Sequence, residues 1–268
     1  MRKALIVLVI FLALQFAVSG VLSILLVITS HASPSPSASD MPLAVSLLVV
    51  NLLTAVAVYL FLRLYNKKPL TGYLTRPTAG LTALTVAGLI LLTFCINGVT
   101  ELVNVPDILQ SQFKGLMENP WGVLAVCLVG PIAEEITFRR GIMGSLMETE
   151  KWRKYALVLS AAIFGIIHFN PAQIIVAFSL GLFLGWLYLR THSLVLPVLC
   201  HILNNSLSTL QADIWGYDTK MQDLLGGQTS LIITLVSAFL VTVALLLVLN
   251  KKLPHDKTPQ DNQQTPIS

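Results

Sequence analysis

Charge is what this sequence has least of. Asp, Glu, Lys and Arg together make up 11% of its 268 residues, less than half the share usual in a soluble domain, about 25%. Hydrophobic residues make up 55%, and the mean hydropathy is +0.78. That shortage of charge excludes a soluble globular enzyme, a disordered chain and a nucleic-acid-binding module. Cysteine is scarce too. Cys95, Cys127 and Cys200 all lie inside apolar runs, so no disulfide framework is expected, and no CxxC pair offers a metal knuckle. The chain has no internal repeat and no HExxH, the motif that fixes two imidazoles one helical turn apart.

What the sequence does have is long runs free of charge. Roughly 20 apolar residues cross the hydrocarbon of a bilayer as a helix. The runs at 4–29, 41–62, 77–100, 121–138, 155–169, 172–189, 193–210 and 228–249 predict an all-α polytopic transmembrane bundle of about eight spans. The first run is about twice the apolar core of a secretory signal, so it reads as a span rather than a leader cleaved near Ala32. Asn170-Pro171 is a turn signal that splits an uncharged stretch too long for one crossing. The resulting fifth span is short, and is expected deep in the bundle or beside a water-filled cavity. Gly181 and Gly185 form a GxxxG pair, expected to permit close helix packing.

The loop charges test this map. With eight spans, every Lys and Arg except Lys114 and Lys220 falls on one side, as the positive-inside rule expects of the cytoplasm. A multi-pass protein of a prokaryotic plasma membrane, with both termini cytoplasmic, is the expectation. The chain divides into a three-span region with an outer loop at 1–120, a core at 121–210, an outer loop and last span at 211–250, and a disordered tail at 251–268. A short interfacial helix is expected within 101–119, and residues 33–37 form a flexible outer loop.

A charged side chain at the bilayer centre costs about 2.5–3.5 kcal/mol on insertion scales, so the ionisable residues inside spans are the informative ones. They are Glu134, Glu135, His168 and His201, with Asn204 and Asn205 beside the last. Residues four apart share a helix face. Glu135 can therefore pair with Arg139, which leaves Glu134 as a second acid with a separate role. Phe164 stands one turn before His168, and His201 one turn before Asn205. Gly130-Pro131 should kink or break the helix just ahead of the acids. Two acids, two imidazoles and an amide are hard to explain as packing in so apolar a chain. They have the parts for acid–base activation of water and for donors to an oxyanion. Ser160, Ser179 and Cys200 lack an evident local base and are weaker nucleophile candidates.

These residues form motifs. Glu134 to Arg139 reads EExxxR, Phe164 to His168 reads FxxxH, and His201 to Asn205 reads HxxxN. Their order on three successive segments resembles the CPBP family of intramembrane proteases, which includes type II CAAX prenyl endopeptidases and bacteriocin-processing or immunity proteins. The resemblance covers about 121–210. It implies a membrane-embedded helical bundle that hydrolyses peptide bonds of membrane-associated substrates, prenylated CAAX-type proteins or leader peptides among them, from the cytoplasmic side. It implies Glu134 as the catalytic acid, His168 as its partner in activating water, and His201 and Asn205 as the oxyanion-stabilising pair. Glu135 and Arg139 then orient the site. A zinc site of Glu134, His168 and His201 is a ligand set that metal accepts. His201 cannot bind zinc and an oxyanion through one nitrogen, so activation of water without a required cofactor is the favoured reading. The alternatives are a catalytically silent immunity or secretion factor and an ion-coupled transporter. The partners expected are the lipid bilayer and a membrane-associated peptide or protein, with no nucleic acid.

Overall fold

The structure is a computed structural model, and it describes residues 1–30, 40–66, 73–74 and 76–253. The expected outer loop at 33–37 lies outside the described residues, as does the expected tail beyond residue 253.

Every apolar run of the sequence is helical. The helices are α1 (Arg2–Ser30), α2 (Asp40–Asn66), α3 (Ala79–Leu102), the short α4 (Gln110–Met117), the composite rod α5 (Pro120–Met147), α6 (Ala156–Ile166), α7 (Pro171–Thr191), α8 (Val195–Trp215) and α9 (Gln228–Lys252). No strand occurs among the described residues. By length and composition, five helices among the described residues are fit to cross a membrane: residues Leu43–Tyr65 of α2, α3, α5, α7 and α9. The count of eight crossings is an expectation from the sequence that this test does not reach. The 11 residues of α6 are too few for an ordinary crossing.

Local chemistry sets the boundaries. Thr78 Oγ1 accepts from the Leu81 N–H at 3.3 Å and caps α3. Asn119 Oδ1 accepts from the Trp121 N–H at 2.9 Å, ahead of Pro120 in the first turn of α5. Asn170 and Pro171 end the α6 segment and start α7, as the turn signal requires. The antiparallel α6 and α7 then pack backbone to backbone. A Cβ on Gly181 would lie 3.1 Å from Ala161 Cα. The GxxxG glycine is thus a close-approach residue.

α5 differs from its sequence expectation. Gly130-Pro131 does not break the rod. Instead, π-helical stretches at Ala125–Val129 and Ile136–Met143 flank a regular segment, Gly130–Glu135. Pro131 has no N–H to donate. The widened turn carries the chain past it, with the Gly130 N–H bonding back five residues to Ala125 O. A Cβ on Gly130 would meet that carbonyl oxygen at 2.8 Å, which explains glycine here.

The two ends of the bundle are stitched separately. At one end the Met1 ammonium meets Thr149 Oγ1 at 3.4 Å, Lys3 pairs with Glu148 at 2.6 Å, and Arg190 donates to the Asn250 side chain and to Leu253 O. At the other end Glu101 accepts from the Met221 and Gln222 N–H groups at 2.7 and 2.9 Å, and Asn170 donates to Asp107 at 2.7 Å. Between them, one buried apolar cluster joins Val7 and Phe11 of α1, Val58 of α2, Phe138, Ile142 and Met143 of α5, Phe164, Tyr188 and Leu194. It lies on the basic side of the polar residues described next.

Candidate active site

The π-helical rod places the two acids in different surroundings. Glu135 is fully buried. Its Oε2 lies 2.9 Å from Arg139 Nε, one turn on, and its Oε1 accepts from His201 Nδ1 at 2.9 Å. Glu135 therefore ties α5 to α8. Arg139 is equally buried, and its guanidinium stands over the Phe164 ring at 5.0 Å. The contact with Glu135 is close, yet its angle is not that of a hydrogen bond, and the other two guanidinium nitrogens have no hydrogen-bond partner among the described residues. Charge attraction and the aromatic face hold this cation.

Glu134 faces elsewhere. Its side chain is 23% exposed and its Oε2 is 3.6 Å from His201 Nε2. It lines a cavity of about 1150 Å³, along with His168, His201, Asn204 and Asn205. His168 Nδ1 is 2.7 Å from Phe164 O, so it carries the proton and donates to that carbonyl. In the neutral ring, Nε2 then keeps the lone pair. Phe164 packs edge-on to both imidazoles, with ring centres 5.1 Å from His168 and 5.7 Å from His201. The aromatic wall expected one turn from His168 serves both histidines and Arg139.

Asn205 lines the same cavity, but one of its amide hydrogens is spent: Nδ2 donates to Val126 O at 2.9 Å, in the first π-helical stretch. Asn204 donates to Asn205 Oδ1 at 3.2 Å and fixes the amide's direction. Of the weaker nucleophiles, Ser160 donates to Phe138 O, Ser179 donates to Ile175 O, and Cys200 is fully buried.

The structure brings Glu134, Glu135, Arg139, His201 and Phe164 into contact and places His168 and Asn205 on the same cavity wall. The candidate zinc set is not brought together: among the described residues no three His, Cys, Asp or Glu side chains converge as ion ligands, Glu134, His168 and His201 included. His201 Nδ1 is held by Glu135 while its Nε2 faces Glu134, so the ring bridges two acids. No step is therefore routed through a metal.

The sequence reading missed an opposing wall. Gln15 of α1 donates to Asn51 of α2 at 3.3 Å, and both line the cavity. They are amides inside apolar spans, and because they are uncharged they do not stand out there as ionisable groups do.

Known proteins resemble part of this chain. Residues 116–207 match the family described as type II CAAX prenyl endopeptidase Rce1-like. A proposed membrane peptidase of Bacillus subtilis (strain 168), YdiL, is 29% identical over 124 residues, covering 44% of this chain and 50% of that protein. The membrane-embedded CAAX protease MroQ of Staphylococcus aureus (strain USA300) is 31% identical over 91 residues, 32% of this chain and 37% of that protein. The chain thus spans half or less of the length of these relatives. No solved structure matches it. The matched segment, residues 116–207, is the one that carries Glu134, Glu135, Arg139, His168, His201 and Asn205.

Proposed function

We propose that this protein is an intramembrane endopeptidase that hydrolyses a peptide bond of a membrane-associated substrate with water activated by Glu134 and His168. The observation that carries the reading is the division of labour between adjacent acids. Glu135 is buried and committed to Arg139 and His201, while Glu134 opens onto the cavity. A carboxylate free of a cationic partner on its own helix can accept a proton from water.

In this reading Glu134 takes one proton as the water oxygen bonds to the scissile carbonyl carbon, and the carbonyl electron pair moves onto oxygen. The His168 Nε2 lone pair holds the second water hydrogen. When the C–N bond breaks, Glu134 returns its proton to the leaving nitrogen. The oxyanion is met by the free amide hydrogen of Asn205 and by His201 Nε2–H. Because Nδ1–H is given to Glu135, His201 can donate from Nε2 only as an imidazolium.

The test is hydrolysis of quenched fluorogenic peptides, lipidated and unlipidated, by purified protein. General-base catalysis contributes about 10²–10⁴-fold. Glu134→Gln should lose that factor while keeping the unfolding temperature of the parent. Turnover by the variant within a few-fold of the parent removes Glu134 from the mechanism.

A further inference from the structure

The sequence places every basic residue but two at the end of the bundle read as cytoplasmic, and an intramembrane endopeptidase is expected from the sequence to take its substrate from that side. The cavity opens the other way. Its lining runs from Glu134, His168 and His201 to Glu101, Asp107, Gln110, Asp218 and Lys220, all at the end opposite the basic one. No Lys or Arg of the basic end lines it among the described residues. Beneath the acids, toward the basic end, Phe138, Ile142, Met143, Phe164 and Leu194 are buried in one apolar cluster. That layer closes the floor.

The walls indicate what fits. Gln15, Asn51, Asn97, Gln173, Asn204 and Gln211 all line the cavity. A side-chain amide both donates and accepts, so this track matches the alternating N–H and C=O groups of a peptide backbone. Phe11, Phe16, Leu47, Phe113, Val176 and Leu180 line the same cavity, so the walls also offer apolar surface to the side chains of such a peptide. The mouth carries the carboxylates of Glu101, Asp107 and Asp218 against the single ammonium of Lys220, a balance that favours a cationic flank. From Glu134 to the start of α5, and from His201 to the end of α8, is about 20 Å along each helix. About six extended residues span that distance.

We propose that the site is entered from the extracytoplasmic end of the bundle, by an extended polypeptide segment whose backbone runs along the amide track to Glu134. The chemistry performed on that segment rests on the hydrolase reading above; the direction of access does not. The substrate class is then a membrane-associated peptide that presents its scissile stretch, about six residues deep, on the outer face.

Sided thiol labelling tests the direction. Ser208 lines the cavity two turns beyond His201 toward the mouth, and Lys151 lies exposed at the basic end. The native cysteines are buried and give the background. Ser208→Cys and Lys151→Cys are each treated with a membrane-impermeant sulfonated maleimide, in intact cells and in inside-out vesicles. The expected result is labelling of Ser208→Cys in intact cells only and of Lys151→Cys in inside-out vesicles only. Labelling of both from one side, the reverse pattern, or no labelling of Ser208→Cys from either side would overturn the proposal. Glu101→Cys, at the mouth itself, repeats the test should Ser208→Cys fail to accumulate. A quenched fluorogenic peptide with a lysine-flanked apolar segment is then given to the same two preparations. Loss of signal in intact cells with cleavage in inside-out vesicles also overturns the proposal. Outer labelling without cleavage in either preparation leaves the direction of access standing and refutes the hydrolase reading instead.

Discussion

Glu134 and Glu135 are neighbours in the chain and differ in every physical respect that matters. One reaches the cavity; the other is fully buried between Arg139 and His201. A buried ion pair that loses one partner leaves an uncompensated charge, at a cost of about 3–5 kcal/mol. Glu135→Ala should therefore lower thermal stability in detergent by about that amount, whereas replacing Glu135 and Arg139 together by leucine should cost much less. Equal destabilisation by the single and double variants would show that the pair's charges do not interact. The identity of these residues was legible in the sequence, because an ionisable group inside a span is costly and therefore rare. The Gln15–Asn51 pair was not, because an uncharged amide costs far less in lipid and does not stand out. The engagement of the Asn205 amide by Val126 O was hidden for another reason: it depends on a carbonyl 79 positions away.

Among the elements, α5 and the α6–α7 corner position the site, and each holds an irregular turn. The π-helical stretches of α5 answer Pro131. Gly-Pro told us that the regular ladder fails there, but not whether the helix would break or widen, since that choice is made by the helices packed around it. At the corner, Phe169 follows His168 with φ 51°, a left-handed conformation that costs a residue with a Cβ about 1–2 kcal/mol. Its side chain is 63% exposed and gains little from packing. Phe169→Gly should raise stability by about 1 kcal/mol while loosening His168, so that turnover falls as the unfolding temperature rises. A parallel loss of both would mean that Phe169 is held by contacts rather than strained.

For the whole molecule, the ordering of helices was readable from the alternation of apolar runs and loop charges. The depth at which the cavity ends, and the face to which it opens, were not, since both follow from how the helices splay rather than from any one of them. The orientation itself is open to direct measurement. Reporter fusions after Ser35, Lys67, Glu118 and Lys151 should report outside, inside, outside and inside in turn, as the division of basic residues requires. A different order would reverse or redraw the span map, and with it the side on which the cavity mouth lies.

α6 has a consequence for the surrounding lipid. Its 11 residues extend about 17 Å, against a hydrocarbon layer of about 30 Å, and Ile166 at its end is 60% exposed. The bilayer must thin beside it, or press on the corner that carries His168. Hydrophobic mismatch of this kind costs fractions of a kcal/mol per Å, enough to displace a side chain without unfolding a bundle. The protein's turnover should therefore fall as the acyl chains of reconstituted vesicles lengthen, with the unfolding temperature little changed. A rate that does not vary with chain length would mean that neighbouring helices shield the corner from the membrane.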